Sequence, residues 1–185
     1  EMEKFPYHDF PLNQIGGIHL NTIEFMSDMH PVRNISEAED FIKRTNLIKD
    51  VYAGVLDGLE LQAEAGIYPP EFVFDHVIKQ LNEFIDYDTE DHPLYTQFIK
   101  KVDELDISSN KSKSLKSDIK QSIKESVTPG FELLRNFMVK TKEKANPNDI
   151  SKIVGFKGKM IFDKSKPDGT IRKLMDNTKL KTIKW

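Results

Sequence analysis

Apolar residues recur every three or four positions through most of the first 145 residues, and that spacing commits this stretch to helices. In "YPPEFVFDHVIKQLNEFID", Phe74, Val77, Ile78, Leu81 and Phe84 form one stripe. Pro70 suits the first helical position, where its missing N–H costs nothing, and Glu71 meets the positive end of the helix dipole. A second stripe runs through Ile48, Val51, Tyr52, Val55, Leu59 and Ala63, with Gly66 placed for a left-handed cap. Ser36 and Glu39 read as a capping box starting a helix that runs on through this second stripe, with a break near Thr45-Asn46. Before these, Ile15, Ile18, Leu20, Ile23, Phe25 and Met26 suggest a helix following Pro11, its first turn weakened by Gly16-Gly17. Pro93 opens a short helix faced by Leu94, Phe98, Val102 and Leu105, and "DISSNKSKS" is a polar connector. A longer helix from about Lys113 to Ala145 carries Leu115, Ile119, Ile123, Val127, Phe131, Leu134 and Met138. It should bend at Pro129, which removes a hydrogen bond and crowds the preceding turn. The expected class is mainly α, an antiparallel helical array.

The text changes character at "KANPNDISKIVGF". Asn146 to Asp149 form a turn, Asp149 can cap a short helix ending near Gly155, "KMIFD" suits a strand and "KPDG" a turn. Asp176 can then cap a closing helical turn. Residues 146–185 thus read as a small C-terminal α/β appendage to a helical domain spanning residues 1–145. Charge shifts at the same place: nine Lys and one Arg against four Asp give the last 40 residues a net +6 within a chain of net −3. Such a tail could attract nucleic acid or an anionic phosphate ligand, but a change of composition at a module boundary is the better reading.

Several function classes lack their apparatus. No run of about 18 apolar residues is present to span a membrane. "EMEKFPYHDF" has neither the basic start nor the apolar centre of a signal peptide, and its opening Glu leaves a trimmed chain and the compartment open. Without cysteine there is no disulfide, thiolate nucleophile or thiolate zinc site. His8, His19, His30, His76 and His92 lack metal-ligand spacing, and no HExxH occurs. His76 beside Asp75 reads as a surface or boundary histidine, since neighbouring helical side chains diverge by about 100°. Glu37, Glu39 and Asp40, and Asp86, Asp88, Glu90 and Asp91, fall at a helix start and in a polar loop, where solvated carboxylates are expected. "QIGGIH" lacks the strand–turn–helix setting of a phosphate loop, and no tyrosine has a lysine four residues on. The lysines of residues 111–124 alternate with serine and acid without aromatics, which suits a solvated helix face better than nucleic acid. On these grounds no catalytic residue, no metal site and no nucleic-acid partner are expected. Oligomeric state stays open.

Two resemblances follow from particular stretches. "IVGFKGKMIFDKSKPDGTIRKLMDNTKLKTIKW" resembles the end of the GDP-L-fucose synthases, NADP-dependent epimerase–reductases. Phe162-Asp163, the run Ser165 to Thr170, Arg172-Lys173-Leu174, Asp176 and Trp185 match, while Ile171 replaces the family's proline and Lys184 its glycine. The resemblance implies a sugar-nucleotide-binding element with Asp168 in contact with substrate and Lys166, Arg172 and Lys173 available to phosphate or to the turn. The family's cofactor domain and catalytic Ser/Tyr/Lys set have no counterpart here. "FPLNQIGGIH", "EAEDFIKRTNLIKDVYAGVLDGLELQAEAGIYPPEFVFDHVIKQL" and "SIKESVTPGFELLRNFM" resemble a second family, the bacterial domain of unknown function 885. Its members resemble helical zinc peptidases whose metal motif lies much further along, which makes residues 5–145 a non-catalytic, N-terminal part. The joint expectation is a composite or fragment: a helical scaffold or peptide-binding portion with a partial GDP-sugar-binding tail, or part of a fucose synthase completed by a cofactor domain elsewhere. Zinc or NADP belongs only to the complete parent families.

Overall fold

The chain divides into two units, Glu1–Asn148 and Asp149–Trp185, and a computed structural model describes residues 9–145, all in the first. Seven α-helices are found among the described residues: α1 Ile18–Glu24, α2 Ile35–Asn46, α3 Ile48–Glu64, α4 Glu71–Ile85, α5 Pro93–Asp103, α6 Ser109–Ser122 and α7 Thr128–Thr141. Two π-turns, Phe25–Met29 and Ile123–Val127, follow α1 and α6, and a 3-10 turn Lys142–Lys144 follows α7. No β-strand is present among the described residues. The fold is mainly α, as the periodicity predicts; the α/β appendage expected at 146–185 lies outside the described residues.

The stripes read from sequence make one core. Phe74, Val77 and Leu81 of α4, Ile48, Tyr52 and Leu59 of α3, and Phe131, Leu134 and Met138 of α7 are all buried, and α7 packs most extensively on α4 and α3. A second layer joins α2 to α6 and α5, with Phe41 against Phe98 at 4.8 Å between ring centroids. Val51, expected in the α3 stripe, is instead half exposed.

Helix ends follow the expected chemistry with local corrections. The cap of α2 is not Ser36–Glu39. Asn34 accepts from the Glu37 N–H at 3.0 Å, and the Glu37 carboxylate accepts from the Arg33 N–H at 2.8 Å, so the same reciprocal logic operates two residues earlier. α3 closes as anticipated: Gly66 has φ 73°, its N–H donates to Ala63 O, and the Ile67 N–H donates to Gln62 O, the paired bonds of a Schellman motif. Pro70 stands just before α4 rather than as its first residue. Two-thirds of the polar connector, residues 109–114 of 106–114, proves helical, because the Ser108 hydroxyl accepts from the Lys111 N–H and starts α6 at Ser109.

Pro129 interrupts the long helix as predicted. The preceding turn widens so that the Thr128 N–H donates to Ile123 O, five residues back, and α7 restarts with the proline in its first turn. The widened turn carries Ser126 to the α2–α3 break. Its hydroxyl donates to Asn46 O (2.9 Å) and accepts from the Lys49 N–H (3.0 Å), satisfying one free group from the end of α2 and one from the start of α3.

The glycine pair also acquires a role. α1 begins after Gly17 rather than spanning the pair, and Ile15 is exposed. A β-carbon at Gly17 would lie 2.6 Å from Asn13 O and 2.6 Å from the imidazole of His19. Gly17→Ala is therefore expected to lower stability by about 1–3 kcal/mol in urea unfolding. Gly16→Ala, with nothing within 4 Å of the added methyl, should change it by no more than about 0.5 kcal/mol.

Candidate functional site

An open groove runs between α2 and the α6/π-turn segment and has a volume of about 370 Å3. Glu39, Ile42, Lys43 and Asn46 form one wall, and Asp118, Gln121, Ser122 and Glu125 the other. On each side the spacing follows the helix: positions 39, 42, 43 and 46, and positions 118, 121, 122 and 125, each lie three or four residues apart on one face. Ile42 is buried and supplies an apolar floor. Ser122 is also buried, donating to Asp118 O at 2.9 Å, while Gln121 donates to the Glu125 carboxylate. Lys111 pairs with Glu39 at 2.6 Å, and that cation holds the carboxyl below its usual range. With Glu39 paired to Lys111 and Lys43 to Asp40, Asp118 and Glu125 give the groove its acidic character.

Buried titratable groups serve architecture rather than this groove. His19 Nε2 lies 3.0 Å from Gln80 Oε1, and Gln80 Nε2 donates to Gln14 O, pinning the segment before α1 to α4. His30 Nδ1 lies 2.8 Å from Pro31 O, with its ring between Phe25 and Phe41, and Lys101 of α5 donates to the His30 carbonyl. His92 caps α5 through Nδ1, which accepts from the Leu94 N–H. In each of these three histidines the other ring nitrogen is buried without a partner, and burial lowers the pKa of His19 and His92. Tyr52, buried between α1 and α7, has its phenol pushed up by burial. His76 is exposed and Asp75 pairs with Lys142, in keeping with a surface histidine. Glu90 likewise pairs with Lys120 at 2.5 Å, and Asp103 with Lys116 at 2.5 Å. Among the described residues no three His, Cys, Asp or Glu side chains are placed to hold a metal ion.

Asp168, Lys166, Arg172 and Lys173, the site residues implied by resemblance, lie outside the described residues. The groove itself was missed from sequence. Its signal was a polar stripe at three- and four-residue spacing in α6, read as a solvated face because nothing in one helix tells which helix lies opposite.

Comparison with known proteins gives this geometry a setting. The family model described as "Bacterial protein of unknown function (DUF885)" matches residues 2–171. The chain belongs to that family. The DUF885 match continues past residue 145 into the segment that carries the synthase resemblance. The fold of the "putative lipoprotein" of Colwellia psychrerythraea is similar, with a TM-score of 0.72 at 22% identity. The similarity covers 74% of this chain and 24% of that one. Separately, a 36-residue stretch is 58% identical to GDP-L-fucose synthase of Escherichia coli K12 and 53% identical to GDP-L-fucose synthase 1 of Arabidopsis thaliana. It amounts to 20% of this chain and 11% of either synthase. The chain thus spans about a quarter of its solved neighbour and about a tenth of these curated relatives. No described helix is long and apolar enough to cross a membrane.

Proposed function

We propose that the helical unit is a non-catalytic scaffold that binds peptide, within a DUF885 protein of zinc-peptidase-like character. The α2–α6 groove carries this reading. A bound peptide has to satisfy its backbone N–H and C=O groups, and Asn46, Gln121 and Ser122 supply amide and hydroxyl groups beside the apolar Ile42. The acidic lining favours a peptide with lysine or arginine. The test uses a fluorescein-labelled octapeptide of alternating alanine and lysine, with binding read by anisotropy. Binding should weaken at least about tenfold in the double variant Asp118→Lys, Glu125→Lys, and should fall as salt rises. No anisotropy change up to about 1 mM protein would refute the peptide-binding reading.

A second reading rests on the 36-residue stretch shared with the synthases: a composite chain, with a helical domain over 1–145 and a sugar-nucleotide-binding element over 146–185. Asp168 would accept hydrogen bonds from the ligand, with Lys166, Arg172 and Lys173 meeting its phosphates. Calorimetric titration with GDP-mannose separates the readings. Heat that disappears in Asp168→Ala supports the sugar-nucleotide element, and its absence in the unsubstituted chain dismisses it.

A further inference from the structure

The two ends of the α2–α6 groove are held by different chemistry. Where α2 runs out, the lining residues are Asn46 and Glu125, and the buried Ser126 hydroxyl beside them bonds to Asn46 O and to the Lys49 N–H. Neutral bonds shielded from water fix that end. At the other end Glu39 is the first lining residue of α2, and Lys111 Nζ holds its carboxylate at 2.6 Å with both side chains partly exposed. Lys111 stands in the first turn of α6, about two turns before Asp118. A cation there faces the positive end of the helix dipole, and no acid lies in that turn to offset it, so its own helix does not hold Lys111 in place. Among the described residues the other two groove acids meet only neutral donors, Asp118 the Ser114 hydroxyl and Glu125 the Gln121 amide.

We propose that Lys111 is a built-in competitor for this groove: its ammonium occupies the Glu39 carboxylate, and a lysine or arginine of the bound peptide takes its place. The exchange puts one cation in place of another on the same carboxylate and releases Lys111 to solvent. Asp118 and Glu125 are open to a cationic peptide from the outset, whereas the Glu39 position is guarded. Removing the charge of Lys111 therefore opens a third acidic contact without adding any new group to the groove. The inference rests on the peptide-binding reading of this groove and adds its regulation.

Lys111→Met keeps the aliphatic stem and removes the charge. Anisotropy with the fluorescein-labelled alanine–lysine octapeptide should show tighter binding by about threefold in this variant, the scale of a partly exposed ion pair. Lys113→Met, which removes an exposed charge from the same helix, controls for net charge and should leave the affinity unchanged. Glu39→Gln closes the cycle: in that background Lys111→Met should bring no gain, because the carboxylate it would free is gone. Equal affinities in the parent chain and Lys111→Met overturn the proposal while leaving the groove as the peptide site. An equal gain from Lys113→Met, or a gain that survives Glu39→Gln, also overturns it, since overall charge would then be the cause. No anisotropy change in either the parent chain or Lys111→Met removes the peptide reading and this inference together.

Discussion

Phe131→Ala is expected to lower unfolding free energy by about 3–5 kcal/mol, a large share of the roughly 5–15 kcal/mol that holds a typical domain together. Phe131 is fully buried, lies parallel to Phe84 of α4 at 5.0 Å between centroids, and meets the edge of Tyr52 of α3 at 5.5 Å. One ring therefore joins the three helices of the main core. Truncation leaves a cavity whose walls belong to different helices, each anchored by its own packing, so little collapse can offset the loss. Phe131→Leu, which keeps most of the volume, should cost no more than about 1.5 kcal/mol. Urea unfolding followed by far-ultraviolet circular dichroism reads both. A loss below about 1 kcal/mol for the alanine variant would mean that Phe131 is not where the three helices meet.

Acidification should bring the second large loss. Nδ1 of His92 accepts from the Leu94 N–H, so the neutral ring carries its proton on Nε2, which is buried without a partner. The rings of Phe84 and Tyr87 lie about it, with centroids at 6.3 and 5.9 Å. Charging the imidazole there is penalised, and burial lowers its pKa from 6.5 to about 4. Because the folded value lies below the unfolded one, the unfolded chain takes up the proton first. The stabilisation is complete above pH 6.5 and is lost as pH falls from there towards 4. For His92 the shift corresponds to about 3 kcal/mol. His19 moves in the same direction through burial, opposed by its bond to Gln80. Glu37, Glu39 and Glu90, each held low by a cationic partner, lose their pairing at still lower pH. Thermal midpoints measured from pH 7.5 to 4 test this. His92→Asn preserves a capping acceptor but cannot titrate, and should flatten much of the slope. An unchanged slope would locate the acid sensitivity elsewhere.

Helix identity was legible because each stripe reports burial directly. The core faces of α4 and α5 and the Gly66 cap of α3 could all be read from spacing and turn chemistry, and the break at Pro129 was a consequence of its missing N–H. What escaped was whatever depends on a partner from another helix. Val51 fits a stripe but faces the wrong way, since a stripe wider than the available core leaves one edge outside. Ser36 and Asn34 are both competent caps, and Asn34 prevails because Glu37, not Glu39, reaches the N–H just ahead of it. Gly17 looked like a weakened helix turn, whereas it clears the space occupied by the His19 ring. The α2–α6 groove was hidden for the same reason: each wall is an ordinary polar face, and only their juxtaposition makes a site.

The central position of α7 sets an order on biosynthesis. It is the last α-helix of the described residues, yet it supplies the surface against which α3 and α4 bury their faces. As the chain leaves the ribosome, α7 begins only 64 residues after the end of α3 (Glu64 to Thr128) and 43 after the end of α4 (Ile85 to Thr128), and both helices stay without that cover until then. During that interval their apolar stripes are available to chaperones and to other nascent chains. A stop or frameshift between Ile85 and Phe131 therefore leaves more than a shortened bundle: it leaves two helices with no third to close on, a product for the quality-control machinery.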